Sequence, residues 1–298
     1  VVSQVPRLID EWQLVPAVWN AVRYQVDERQ TDGQFILTGS ATPADDITRH
    51  TGAGRVARVR MGPMTLHEAG HGTGAVSLTG LFDGDKPSSF ASEADVAMIA
   101  ELVCRGGWPG NLHRDLEDAL DANRDYLTTI ASADIMTVDG VRRDPRKVTA
   151  LLYALARSNG TYVTDKTLRA DVNGRGETLA PKTLTSYLDA LCRLWIVESL
   201  VFRDLSAHAQ AARATVHAYQ ESSGAEIDAV VVRDDQWIGI EVKLGARPEV
   251  VDPAAAGLLR IAGNMRTPPS ALVVVTATGA SYRREDGVDV VSILDLAP

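Results

Sequence analysis

The sequence predicts an α/β protein, and three features of its pattern predict it. A strand–helix–strand order opens the chain, helical periodicity fills its middle, and a helix–three strands–helix–two strands order closes it. Strands that alternate with helices build parallel or mixed sheets with helical crossovers. The chain has 298 residues, 45% of them hydrophobic and 23% charged. That is an ordinary globular composition with enough length for roughly two domains and real cores.

The first region runs from residue 1 to 82. An extended segment from Gln4 to Asp10 ends in two carboxylates, Asp10 and Glu11. From Pro16 onward, Val18, Trp19, Val22 and Val26 recur with the spacing of one apolar helix face. Pro16 suits that start, because a proline's missing N–H costs nothing in the first turn. Gln34 to Leu37 reads as a short buried strand that ends in the small polar turn Thr38-Gly39-Ser40. Arg55 to Arg60 alternates with period two and is expected to be a half-buried strand at a sheet margin.

The second region, residues 90 to 197, is expected to be helical. Helices are predicted over Val96 to Val103 behind Ser92 and Asp95, over Asp115 to Ile130, and from Asp144-Pro145 to near Asn159. A short helix over Thr164 to Asp171 and a longer one over Thr183 to Leu194 follow. Helix, short helix, loop and helix in one small unit is the winged-helix pattern. The third region, residues 199 to 298, starts with a helix over Leu200 to Ala212. Strands over Ala214 to Gln220, Glu226 to Arg233 and Gln236 to Lys243 come next, the last two joined by a hairpin at Arg233 to Gln236. A helix over Pro253 to Met265 and strands over Ala271 to Thr276 and Val288 to Ile293 complete it.

No apolar run approaches the ~20 residues that span a bilayer, so no membrane partner is expected. Two cysteines, Cys104 and Cys192, make no disulfide framework, and a cytoplasmic setting is the default. The net charge of −9 argues against a protein that lives on the phosphate backbone of nucleic acid.

An apolar strand that ends in Asp-Glu is how many P-loop NTPases finish the strand beside Mg²⁺ and the attacking water. Asp10 and Glu11 occupy those positions, and a polar residue ending the next strand, Thr38 or Ser40, lies beside the phosphate site of such sheets. Three segments together, Pro6 to Gln13, Gly33 to Ala41 and Gly52 to Arg55, resemble a bacterial and archaeal family. It is the AAA-type ATP-binding proteins whose C-terminal region is called domain of unknown function 4143. The similarity continues through Arg105-Gly106-Gly107-Trp108-Pro109 and Thr183 to Trp195, then from Asp204 to Lys243. The resemblance implies a partial P-loop sheet from the Walker B strand onward, with ATP and Mg²⁺ as cofactors. It gives Asp10 and Glu11 the Walker B role, Thr38 or Ser40 the sensor role, and Arg55 a finger-like role. It also implies nucleotide as partner and a homo-oligomer.

Two departures stand out. The phosphate-cradling loop G-x-x-x-x-G-K-[ST] is absent, and the glycine-rich run Gly70-His71-Gly72-Thr73-Gly74 lacks the lysine. With Val1 inside an apparent core strand, the expectation is a fragment whose N-terminus lies further upstream. Second, Leu194 to Glu198 runs almost directly into Ser199 to Asp204, where family members carry a further stretch.

The densest chemical constellation lies near the other end. Glu226 and Asp228 fall on one strand, Glu241 and Lys243 on its hairpin partner, and period two places each pair on one face. An Asp opposite Glu-x-Lys is the arrangement of the PD-(D/E)xK, restriction-endonuclease-like fold. There Asp228 and Glu241 are expected to hold Mg²⁺, Lys243 to stabilise or activate the attacking hydroxide, and Glu226 to assist. The same residues also suit a solvated sheet face with cross-strand ion pairs. A nucleic-acid partner is a second expectation for the helix at Thr183 to Arg193, where Lys182, Thr185, Ser186 and Arg193 face outward. Its few basic residues favour domain packing instead. Three functions therefore stay open: a nucleotide-handling ATPase-family protein, a metal-dependent nuclease-like enzyme, and a non-catalytic interaction module.

Overall fold

The computed structural model describes residues 6–39, 54–91, 93–137, 140–158, 163–193, 200–221 and 224–298. The chain divides into two compact units, each made of two separate stretches: residues 1–60 with 125–197, and residues 61–124 with 198–298. The architecture is α/β, with parallel and mixed sheets and interspersed helices.

In chain order the elements are β1 (Arg7–Ile9), α1 (Ala17–Arg29), β2 (Phe35–Leu37), β3 (Val76–Ser77), α2 (Leu78–Asp83) and α3 (Val96–Arg105). Next come α4 (Leu116–Thr129), α5 (Ile135–Thr137), α6 (Pro145–Arg157), α7 (Asp165–Gly174), α8 (Pro181–Arg193) and α9 (Leu200–Ala211). The last elements are β4 (Thr215–Gln220), β5 (Glu226–Arg233), β6 (Gln236–Lys243), α10 (Pro248–Gly263), β7 (Ala271–Thr276), β8 (Tyr282–Arg283), β9 (Asp289–Ser292) and β10 (Leu296–Ala297).

In the first unit β1 and β2 pair in parallel, Leu8 opposite Ile36, with α1 as the crossover. Trp19 and Val22 are buried on α1, as the apolar spacing requires, and Trp12 stacks on Trp19 at 5.2 Å. The helical part of this unit shares one core, built from Ile130, Val148, Leu151, Leu168, Leu184 and Leu191 among others. Asp144 and Thr164 cap α6 and α7 by accepting from backbone N–H groups of the first turn. Residues 194–199, at the expected end of the winged-helix region, lie outside the described residues, as do Ser40 and Ser92. Residues 55–60, expected as a strand, form none. Their Arg-Val alternation has no apolar face to bury, and Val59 stays 74% exposed.

In the second unit the sheet order is β4-β5-β6-β7-β9-β8. β4, β5 and β6 are antiparallel neighbours, while β6, β7 and β9 run parallel. The hairpin between β5 and β6 turns at Asp234, which takes the left-handed backbone (φ 52°). One face of the sheet carries Ala229, Val231, Ile238, Ile240, Val273 and Val275; the other carries Val230, Trp237 and Val274 against α10. β7 is buried along its whole length, the mark of a parallel strand covered on both faces.

Residues 61–82, grouped by the sequence reading with the opening region, pack instead in this second unit. β3 pairs in parallel with β10, Val76 opposite Leu296. Asp295 accepts from the hydroxyls of Thr73 and Ser281 at 2.7 and 2.6 Å, and also from that of Ser89. The glycine-rich run has a packing role here. A Cβ on Gly72 would sit 3.0 Å from the Leu294 carbonyl oxygen, and Gly74 adopts φ 69° against His67.

Candidate functional sites

Two places bring the chemically marked residues together, one in each unit. The first is the carboxyl end of the β1–β2 pair. Thr38 N–H donates to Ile9 O at 3.0 Å and Trp12 N–H to Thr38 O at 3.2 Å, which clamps the two strand ends side by side. Across that clamp the Thr38 hydroxyl donates to the Asp10 carboxylate. Asp10 is exposed and Thr38 half-buried, so the pair is open to solvent. Glu11 follows at φ 48°, a left-handed conformation that turns the chain sharply after the strand, and its carboxylate accepts from the Gln13 amide. A non-glycine residue with positive φ is uncommon and concentrates at functional turns. In a parallel pair with a helical crossover, α1 ends near the start of β2, and the guanidinium of Arg29 lies over the Phe35 ring at 5.8 Å. Arg55 pairs with Asp27, two residues before that point.

The second place is a fork in the large sheet. The β5–β6 ladder runs from Arg233↔Gln236 to Ala229↔Ile240 and stops. Beyond it β5 stays with β4 (Tyr219↔Ile227), while β6 stays with β7 (Glu241↔Val274, Lys243↔Thr276). Asp228 and Glu241 are the first residues past the opening. Between His217↔Val230 and Tyr219↔Ile227, β5 has one residue more than β4, so a β-bulge falls at Asp228-Ala229. Bulges re-aim side chains and are frequent beside active sites. The strict alternation assumed from sequence therefore fails here. Ile227 and Val230 bury in the same core, although three residues apart.

The two carboxylates take over the missing ladder bonds. The Asp228 Oδ2 accepts from Val242 N–H at 2.7 Å, and the Glu241 carboxylate accepts from the Asp228 N–H. Lys243 Nζ donates to Glu241 Oε1 at 2.7 Å. Burial raises the Glu241 pKa above the ordinary glutamate range; Asp228 adds to the rise, while the Lys243 hydrogen bond and charge oppose it. Glu226 is exposed at the end of β5. Next to Lys243, the Thr276 hydroxyl is buried without a hydrogen-bond partner. Among the described residues no group of three or more His, Cys, Asp or Glu side chains forms a metal cage. The fork brings two carboxylates together, Asp228 and Glu241, and carboxylate oxygens are the hard donors that Mg²⁺ takes.

A third polar cluster escaped the sequence reading. Asp204, 1% exposed on α9, accepts from Arg203 Nε at 2.8 Å and from Leu66 N–H at 2.9 Å. Burial raises its pKa. One turn on, His208 is 1% exposed with an unpartnered Nε2, edge-on to His67 at 6.5 Å. Burial pushes the His208 pKa down to about 4. The signal available in sequence was a run of polar residues on a helix too apolar to be a surface one.

Residues 4–70 match the model of an AAA domain. Residues 97–219 match one domain of unknown function (DUF8612) and residues 195–296 another (DUF4143). Over 194 residues the chain is 27% identical to the uncharacterized protein Rv2008c of Mycobacterium tuberculosis and to the uncharacterized protein Mb2031c of Mycobacterium bovis. Each alignment covers 64% of this chain and 37% of the relative, so the chain spans well under half the length of the curated relatives it matches. No solved structure matches the chain. The chain thus contains an AAA-domain match at its amino end and a DUF4143 match at its carboxyl end. No helix among the described residues is long and apolar enough to cross a membrane.

Proposed function

We propose that this chain belongs to an AAA-type, ATP-handling protein whose Mg²⁺-nucleotide site lies at the carboxyl ends of β1 and β2. The observation that carries the reading is the Thr38–Asp10 hydrogen bond across that parallel pair. Carboxyl ends of parallel strands are where α/β sheets place ligands. The match of residues 4–70 to an AAA domain supports the same assignment. A carboxylate and a hydroxyl are hard oxygen donors of the kind Mg²⁺ prefers, so the residues present fit the metal end of a nucleotide complex. Asp10 holds the metal or one of its waters, and Thr38 orients that carboxylate and senses the terminal phosphate. Glu11, turned by its left-handed backbone, orients the attacking water. The loop G-x-x-x-x-G-K-[ST] that cradles phosphates does not occur in this sequence. The test is steady-state ATP turnover by the full gene product carrying Glu11→Gln. Turnover is expected to fall at least about a hundredfold while nucleotide binding persists; unchanged turnover overturns the assignment.

A second reading is favoured by the bulge that turns Asp228 toward Glu241. In it the fork is a Mg²⁺-dependent phosphodiester-cleaving site. Asp228 and Glu241 hold the cation, and Lys243 stabilises charge on the attacking oxygen. Metal-dependent cutting of DNA or RNA that disappears in Lys243→Ala supports it; cutting that persists in that variant removes it.

A further inference from the structure

Away from both of these sites, the second unit contains a cavity of about 350 Å³ lined by two arginines, two histidines and one glutamate beside apolar side chains. Its apolar lining is Met98, exposed, with Leu102 and Leu112. Its polar groups are His71, Glu101, Arg105, His113 and Arg114. Glu101 and Arg105, one turn apart on α3, make an ion pair of 2.7 Å, so the single carboxylate is already neutralised. Arg105 also donates to the carbonyl oxygens of Asn111, at 3.2 Å, and Arg114. It is thereby a brace for the loop after α3.

Asn111, 3% exposed, locks that loop. Its Nδ2 donates to Arg105 O at 3.0 Å and to Asn123 Oδ1 at 2.9 Å, while its Oδ1 accepts from Arg114 Nη1 at 3.1 Å. The Arg114 guanidinium is thus pinned by one nitrogen and keeps its other donors available. His71 is set by a tight turn in which its N–H and that of Gly72 both donate to Leu66 O, at 2.9 and 3.1 Å. Neither the His71 nor the His113 imidazole has a hydrogen-bond partner among the described residues. A guanidinium held on one side and two unpaired imidazoles thus stand beside apolar side chains in one cavity.

We propose that this cavity binds a small organic phosphate monoester, with its phosphate on Arg114, His113 and His71 and its apolar part on Met98, Leu102 and Leu112. An arginine fork matches a phosphate's oxygens, and the volume lies within the range of small-molecule sites. The loop is ordered before the ligand arrives, which removes part of the ordering cost of binding. The inference is independent of the nucleotide and fork readings, since it uses none of their residues.

Calorimetric titration of the full chain with phenyl phosphate, inorganic phosphate and phenol tests it. Phenyl phosphate is expected to saturate a single site at least tenfold more tightly than either fragment. Arg114→Gln combined with His113→Gln, both exposed positions, is expected to weaken it at least tenfold. Met98→Glu, which sets a carboxylate at the cavity mouth, is expected to do the same. Failure of phenyl phosphate to saturate, binding no tighter than that of phenol, or wild-type affinity in both variants overturns the proposal.

Discussion

Glu241 is a carboxylate kept where its charge is disfavoured. Its folded pKa is raised, chiefly by burial, so its proton is held more tightly in the folded chain than in the unfolded one. The associated stability is present below the ordinary glutamate range and is lost as pH rises through the folded value. Glu241→Gln is therefore expected to raise the melting temperature at pH 7 to 8, with the gain shrinking toward about pH 4. Lys243→Met is expected to lower it at neutral pH, because it strips the carboxylate of its cation. Thermal scans from pH 4 to 8 check both. His208 has the opposite sign. Its folded pKa is lowered to about 4, so the stability it allows is present above about pH 6.5 and is lost as pH falls toward 4. His67, Glu68 and Arg203 act on it from the packed loop and from its own helix. Replacing it with Gln is expected to remove up to about 3 kcal/mol of acid sensitivity across that interval. A denaturant titration series at stepped pH reads the slope; an unchanged slope contradicts the burial account.

At the scale of elements, the fork shows how far pattern reading reaches. β5, β6 and β7 were legible because their apolar runs are long and bounded by turn residues, and the two-residue Asp234-Asp235 turn fixed the hairpin. The pairing of Asp228 with Glu241 was legible as proximity, but the bulge was not. An inserted residue leaves no mark in a sequence whose two faces are both apolar. The same limit explains residues 55–60, where alternation alone suggested a strand that does not form. β3 and β10 are two residues each, so their pairing is set by tertiary contacts and not by local preference. The fork makes its own prediction. Asp228→Ala leaves the Val242 N–H without its acceptor and is expected to cost about 1–3 kcal/mol. Asp228→Asn, which keeps an acceptor oxygen, is expected to retain most of the wild-type stability. Equal losses in the two variants would mean that the Val242 contact contributes little.

Over the whole molecule, the chain folds as two units that each draw on separated stretches of sequence. A linear reading sees composition shifts but not the return of residues 61–124 to the carboxyl-terminal stretch. That return rests on long-range bonds: Leu66 to Asp204, Thr73 to Asp295, and β3 to β10. Deleting residues 296–298 removes β10 and uncovers Val76 and Leu78, both buried. Limited proteolysis is expected to cut such a chain earlier within residues 61–90 than the intact one; an identical digestion pattern contradicts this.

The nucleotide assignment itself turns on one carboxylate. Equilibrium binding of a fluorescent ATP analogue, with Mg²⁺, to the full gene product and to its Asp10→Asn variant addresses it most directly. The account predicts saturable binding that weakens at least tenfold in the variant and loses its Mg²⁺ dependence. Equal affinity in the two proteins, or no saturable binding by the wild type, contradicts it.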